Sequence, residues 1–323
     1  MKRPLEKCHC GELKRAIDAY IERADKDLQD DLKDAGFVDP KQTTKDISDL
    51  EEEITAALEE DTKYIVETTD EYALLSNYAE TGIQSATQDE RLIKKLTRTF
   101  NATFSRIIPA YAEEYIKLTD KDLQMLMMSK RTVAWIESWS GDLARIMKLN
   151  DNQVIENLLS KGLKEGASIK QFADMISDAG IRDAGFRARR VAITEVLRAH
   201  SVAQHESIEQ SPAVTAKIWR HSGGYRIEPR ENHMEMDGTV VPKNEPFTLY
   251  GADGGVYYPM YPRDSSLPPG ESINCHCVEQ PVVDESILGL SLEERQRLQA
   301  EAVAEMDEEW LKEIDEKNRL RLL

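Results

Sequence analysis

Two short runs of this sequence set thiol and imidazole side chains at spacings suited to metal ligation: Cys8-His9-Cys10 near one end and Cys275-His276-Cys277 near the other. Thiols two residues apart on one loop are better placed to share a metal than to bridge distant elements by a disulfide. Zinc accepts sulfur, imidazole nitrogen and carboxylate oxygen in a tetrahedral set of four. Cys275 and Cys277 supply two donors, and His233 with either His221 or Asp237 could complete the set. The other reading of the same residues is a pair of thiols packed in a small core. A composite site joining Cys8 and Cys10 to Cys275 and Cys277 would require the two ends of the chain to meet. Zinc is the single cofactor these patterns suggest.

Acid–base chemistry has less support. His233 and Asp237 are four residues apart, as a general-base pair could be, but Asp237-Gly238 reads first as a turn. In such a turn the Asp side chain binds nearby backbone and Gly accepts a positive φ. Arg226 and Arg230 either brace this turn by hydrogen bonds or bracket an acidic partner. The Gly-x-Ser-x-Gly elbow, the phosphate-binding Walker loop, the His-Glu-x-x-His helix and the Gly-x-Gly-x-x-Gly fingerprint are all absent from the sequence.

The elements that must hold these residues change character along the chain. Apolar residues at helical spacing predict an amphipathic helix from Glu12 to about Asp34, stopped by Gly36, and another from near Thr44 that extends toward Tyr78 with Gly82 as its stop. Asp89 to Leu118 reads as one or two helices, with Pro109 a kink or a restart. Leu123 to Leu149 carries a Met and Trp stripe (Met125, Met127, Met128, Trp135, Trp139), which reads as core or partner surface. Shorter helices are expected from Asn152 to Lys164, from the Ser168-Ile169-Lys170-Gln171 capping box to Gly180, and from Ala184 to Glu209. From Pro212 the periodicity fades. Strand-like runs at Val214–Trp219, Val240–Val241, Phe247–Tyr250 and Val256–Tyr258, separated by Gly223-Gly224, Asp237-Gly238 and Asp253-Gly254-Gly255, predict hairpins or an antiparallel sheet. Ser291-Leu292-Glu293-Glu294 opens a last acidic helix whose apolar side, Leu292, Leu298, Val303, Met306 and Trp310, needs a surface to pack on. The fold class is therefore α+β: a long helical amino-terminal region, a small antiparallel β-hairpin-rich module and a carboxy-terminal helix.

Composition narrows the function. The chain has 323 residues, enough for two units, and carries 60 acidic against 42 basic side chains for a net charge of −18. Such a balance repels phosphate unless the basic residues segregate, so sequence-specific nucleic-acid binding is not expected. Arg187, Arg189, Arg190 and Arg198 could form one local basic stripe, or a solvated helix face. The sequence holds no apolar run long enough to span a bilayer, and its start lacks the apolar stretch of a secretion signal.

Taken in order, Arg187-Ala188 with Ala192-Ile193-Thr194-Glu195, Trp219, Arg230 and His233, Asp237-Gly238, Phe247, Pro259 to Pro262 and Glu271 to Cys277 resemble the signature of the phage head morphogenesis family, the phage Mu protein F-like minor head proteins. The likeness runs from about Asn152 to Val283. It departs from the family pattern at His276, where Arg is usual, and in Arg189-Arg190-Val191-Ala192 ahead of Ile193. The resemblance implies a non-enzymatic minor capsid component of a tailed bacteriophage, located inside the head and in the host cytoplasm during assembly. Its expected partners are the portal protein and other capsid or scaffold proteins, with self-association left open, and a part in DNA ejection is a further implication. It also gives Glu195, Trp219, Arg230, His233, Asp237, Gly238 and Asn274 a structural role. The expected division is a helical partner-binding region over 1–150, the family module over 151–283 and an acidic helical tail over 284–323. The rival is a zinc-dependent hydrolase or toxin-like enzyme using His233, Cys275 and Cys277.

Overall fold

A computed structural model of the chain describes residues 25–68, 90–165, 169–221 and 230–321. Cys8, Cys10, the Ser168 capping box, the Gly223-Gly224 turn, Arg226 and the Gly82 stop lie outside the described residues.

The helical part begins with α1, described over 25–34, and α2, Pro40–Thr68. Gly36 ends α1 with a φ of +86°, and the Phe37 N–H donates back to the Leu32 carbonyl. Helix α2 starts four residues before the Thr44 expected from periodicity. The Asp39 side chain accepts the Gln42 N–H at 3.0 Å, and Pro40 stands at the first helical position, where its missing donor costs nothing. Helix α3, Arg91–Thr119, is one helix with Pro109 inside it. Its buried face, Leu92, Leu96, Phe100, Phe104, Ile107, Ile108, Tyr111 and Tyr115, runs past the proline on both sides and holds the two halves together.

Three expectations fail in the next helices. Helix α4, Lys130–Glu165, starts seven residues later than the Leu123 read from the Met and Trp spacing. Ser129 is its cap: the hydroxyl accepts the Thr132 N–H, and Glu206 holds both the Ser129 N–H, at 2.8 Å, and its hydroxyl, at 2.9 Å. Met125, Met127 and Met128 thus precede the helix, with Met127 exposed, while Trp135 and Trp139 pack against the core. Helix α4 also continues through the expected break at Asn152, and α5, Ile169–Gln210, runs unbroken through Gly180. A glycine inside a helix costs only about 1 kcal/mol. The burial of Ala188, Ala192, Val196, Ala199 and Ala203 along the second half of α5 outweighs it, because these small side chains let α2, α3 and α4 approach closely.

His200 on α5 sits at the centre of this bundle. Its ring stacks on Tyr111 at 3.6 Å, one nitrogen lies 2.9 Å from the Thr43 hydroxyl and the other 3.1 Å from that of Tyr115, and burial keeps it neutral. Arg187, Arg189, Arg190 and Arg198 of α5 do not share one solvated face: Arg190 is exposed, but two others are engaged. Arg189 bridges Glu51 and Asp25, and Arg198 is buried against Glu195.

The rest of the chain comprises β1 (Val214–Arg220), α6 (Glu231–Glu235), β2 (Val240–Pro242), β3 (Leu249–Tyr250), β4 (Val256–Tyr257), α7 (Pro269–Ser272), β5 (Val278–Val283), α8 (Glu285–Leu288) and α9 (Leu292–Arg321). Strand β1 is central in an antiparallel sheet of order β2-β1-β5, and β3 and β4 form a separate hairpin about a turn in which Gly254 has φ +84°. Phe247, expected to open the strand Phe247–Tyr250, precedes β3, and its N–H is given to the Pro259 carbonyl. Strand β5 was not foreseen, since Pro281 interrupts its pattern; as an edge strand paired with β1 alone, it tolerates the missing donor. The Gln204 side chain docks β5 on α5 through both the N–H and the carbonyl of Glu279.

Helix α9 finds its surface on α4, α5 and the segment before α4. Ser291 caps it through the Glu294 N–H, and Val303 and Met306 are buried. Its remaining attachments are polar: Arg295 pairs with Asp120, Gln299 donates to the Gln124 carbonyl at 2.8 Å, and Asp307 accepts the Lys130 N–H at 2.7 Å. Leu292, expected on the apolar side, is exposed. The architecture is α+β, a helical bundle carrying a small antiparallel unit and a carboxy-terminal helix. Among the described residues no helix is long and apolar enough to cross a membrane.

Candidate metal centre

Three chain segments converge beneath Trp219. Strand β1 ends at Arg220 and delivers His221; α6 carries His233; the loop between α7 and β5 carries Cys275 and Cys277. The donor atoms of His233, Cys275 and Cys277 all lie within 4.8 Å of one another. His233 Nδ1 is 3.6 Å from the Cys275 sulfur and 3.7 Å from that of Cys277, and His221 Nδ1 is 3.6 Å from the Cys277 sulfur. Both cysteines are buried, at 3% and 2% exposure. Cys275, accepting from Cys277 and helped by His233 and Arg263 against its burial, is held well below the usual thiol range, while Cys277, donating to Cys275 and buried, is pushed up.

Each member is held from behind. His233 Nε2 lies 2.9 Å from Glu271, which also accepts the Ala252 N–H at 3.0 Å and the Asn232 amide at 3.1 Å. Burial works against charge on Glu271, but these donors together keep it below the ordinary carboxylate range. A carboxylate at Nε2 fixes the proton there and turns the Nδ1 lone pair to the sulfurs, the arrangement common behind metal-bound histidines. The Trp219 ring meets His233 edge-on at 5.7 Å and Phe247 at 5.3 Å. Asn274 turns the chain into Cys275 with φ +56°, a conformation Asn adopts more readily than most residues, and Arg230 donates to the Ile273 carbonyl just before it.

Asp237-Gly238 forms the expected turn, with Gly238 at φ +81°, but the Asp237 carboxylate does not bind its own neighbours. It accepts the His221 N–H at 2.9 Å, placing Asp237 behind a ligand candidate. Of the two alternatives for the fourth donor, His221 is the one beside a sulfur.

Two residues with the largest positioning roles carried little signal in the sequence. Arg263 is fully buried at φ +65°; its guanidinium donates to the carbonyls of Cys275, Cys277 and Leu197 and to the Ser201 hydroxyl. It thereby ties the cysteine loop to α5. Glu195 accepts from the Trp139 indole at 2.7 Å and from Arg198 at 3.0 Å, and Arg198 in turn donates to the Arg263 carbonyl. Glu271 stood in the motif run, but a carboxylate in a Pro-Gly-Glu-Ser turn gives no sign of its histidine partner. Arg263, after Tyr261-Pro262, breaks no pattern that could have marked it.

The sequence pattern of the phage Mu protein F like family matches residues 153–280. The uncharacterized protein YqbB of Bacillus subtilis (strain 168) is 44% identical over 218 residues, which are 68% of this chain and 69% of that protein. The chain belongs to the phage Mu protein F like family. The matched span contains every residue of the cluster and of its braces from Glu195 to Glu271. A second relative, the NAD(+)--arginine ADP-ribosyltransferase EFV of Enterococcus faecalis (strain ATCC 700802 / V583), is 28% identical over 172 residues, 51% of this chain but only 33% of that protein. No solved structure matches. Membership in the phage Mu protein F like family suggests a part in phage head morphogenesis.

Proposed function

We propose that this chain is a minor head protein of a tailed bacteriophage or prophage that docks on the portal during head assembly, works alongside other capsid or scaffold proteins, and resides inside the virion, with a part in DNA ejection. Family membership carries this reading. The helical region over 1–150 is the partner surface: Leu118, Leu126, Met127 and Val133 are exposed around the junction of α3 and α4. Exposed apolar clusters of this kind mark protein contacts. A net charge of −18 keeps the chain from condensing on packaged DNA.

The alternative, an enzyme using His233, Cys275 and Cys277, draws on the transferase relative and on the Cys275–His233–Glu271 alignment. Burial of both sulfurs disfavours a nucleophile that must meet substrate, and the transferase relative extends well beyond the length shared with this chain. Co-expression with the portal protein of the same phage tests the proposal. Tagged full-length chain should retain portal oligomers through size exclusion, and Met127→Glu combined with Leu126→Glu should weaken that retention several-fold. Absence of any complex at low salt would overturn it.

A further inference from the structure

We propose that His221, His233, Cys275 and Cys277 form a tetrahedral structural zinc site that staples the β-rich module. The donor chemistry is the first ground. Two thiolates and two neutral imidazoles match a divalent zinc in charge and give the Cys2His2 set common in closed structural sites. Glu271 behind His233 and Arg263 behind the cysteine carbonyls contribute opposite charges, so the whole buried assembly carries no net charge.

Geometry is the second ground. With zinc–sulfur and zinc–nitrogen bonds of about 2.3 and 2.1 Å, a tetrahedral site separates neighbouring S and N ligands by about 3.6 Å. Of the four sulfur–nitrogen separations, those from His233 to Cys275 and Cys277 are 3.6 and 3.7 Å and that from His221 to Cys277 is 3.6 Å; His233, Cys275 and Cys277 are mutually within 4.8 Å, and His221 joins them through Cys277. Those values are within reach of a thiol hydrogen bond and also match the edge of a metal tetrahedron. The second imidazole nitrogen of His221, Nε2, is buried without a hydrogen-bond partner, so no other contact pulls its ring away from the cluster.

The third ground is what the module lacks. Its own core is small, gathered from Trp219, Met236, Phe247, Leu249, Leu267 and the two cysteines, and β2, β3 and β4 span two or three residues each. Units of this size commonly need a metal or disulfides to hold a fold. A zinc here would cross-link the end of β1 and the loop before β5, which the β1–β5 pairing already brings side by side, to the short helix α6. Four protein ligands leave no open position, so the metal serves the fold rather than substrate activation.

The test uses the full chain expressed in a bacterial cytosol with zinc in the medium. Plasma mass spectrometry should find about one zinc per chain, and X-ray absorption should show two sulfur and two nitrogen neighbours at about 2.3 and 2.0–2.1 Å. Replacement of zinc by cobalt(II) in the unaltered protein should give thiolate-to-cobalt charge-transfer bands and tetrahedral ligand-field absorption, a readout independent of whether any variant folds. Glu271→Gln should lower zinc affinity about 10–100-fold, as loss of a carboxylate behind a ligating histidine does. His221→Ala should lower it at least as far, whereas His276→Ala should leave it unchanged. Metal-free protein in which Cys275 and Cys277 are both labelled as free thiols, a Cys275–Cys277 disulfide in mass spectra, or His221→Ala binding zinc like the unaltered chain would each overturn the four-ligand site.

Discussion

Glu279 and Arg263 are both fully buried a short distance apart, yet they carry their charge differently. Arg263 donates to three carbonyls and a hydroxyl and remains a cation despite its desolvation. Glu279 has no hydrogen-bond partner for either carboxyl oxygen, and Lys217 is 3.8 Å away. Burial therefore wins over the lysine and pushes the Glu279 carboxyl from 4.5 up to about 8. The folded chain binds this proton more tightly than the unfolded chain does. The contribution to stability is thus full below pH 4.5 and is lost as pH rises through about 8. Lys217, His205, Asp264 and Arg263 face the same pocket of charge, and burial, with Lys217 and Arg131 nearby, holds the His205 imidazole well below its usual range. Glu279→Gln keeps the neutral form at every pH. Urea unfolding at a series of pH values should show the unaltered protein losing stability relative to this variant between pH 4.5 and about 8. Parallel curves for the two proteins would contradict the assignment.

At the scale of elements, the Asp237-Gly238 turn offers the sharpest check, since a Cβ on Gly238 would meet nothing closer than the Arg220 guanidinium at 3.9 Å. The cost of Gly238→Ala is then conformational alone, from φ +81°, and should be about 1 kcal/mol by denaturant titration with no loss of zinc. A much larger loss would mean that the turn also packs against something. This turn was legible because Asp-Gly demands a particular backbone. The strands at Val214, Val240 and Val256 and the α9 cap at Ser291 were legible for similar local reasons. The start of α4 and the continuity of α4 and α5 were not. Ser129 caps α4 only because Glu206, 77 residues away, takes up its N–H and hydroxyl, and Gly180 fails to end α5 because tertiary burial of the alanines beyond it outweighs a local preference. Strand β5 was hidden by Pro281, which an edge position makes harmless. At the site, His221, His233, Cys275 and Cys277 were readable as donor types. Asp237, Glu271 and Arg263 were not readable as their supports, because each works through a partner distant in sequence.

At the scale of the whole molecule, two cores are linked along α5 by a third cluster of Leu32, Ala35, Phe37, Leu197 and Val278. The larger joins α2, α3, α4 and α5, and the smaller surrounds Trp219 and the cysteines. Chelation should therefore act unevenly. Hydrogen exchange after zinc removal should quicken at amides of β1, β2 and β5, whereas those of α3 and the second half of α5 should keep their protection. Equal loss across both would indicate a single cooperative unit. The shared helix has another consequence, which concerns synthesis. Thr43 meets His200, 157 residues later, so the apolar face of α2 has no partner on α5 until that helix has left the ribosome. At about 5–20 residues per second this wait lasts about 8–30 s. During it Ile47, Leu50 and Ile54 are sticky surface, and nascent copies on one messenger are close enough to find each other first. The amino-terminal helices therefore set when the chain needs a chaperone, and slower translation between them and α5 should raise the aggregated share of an otherwise unaltered protein.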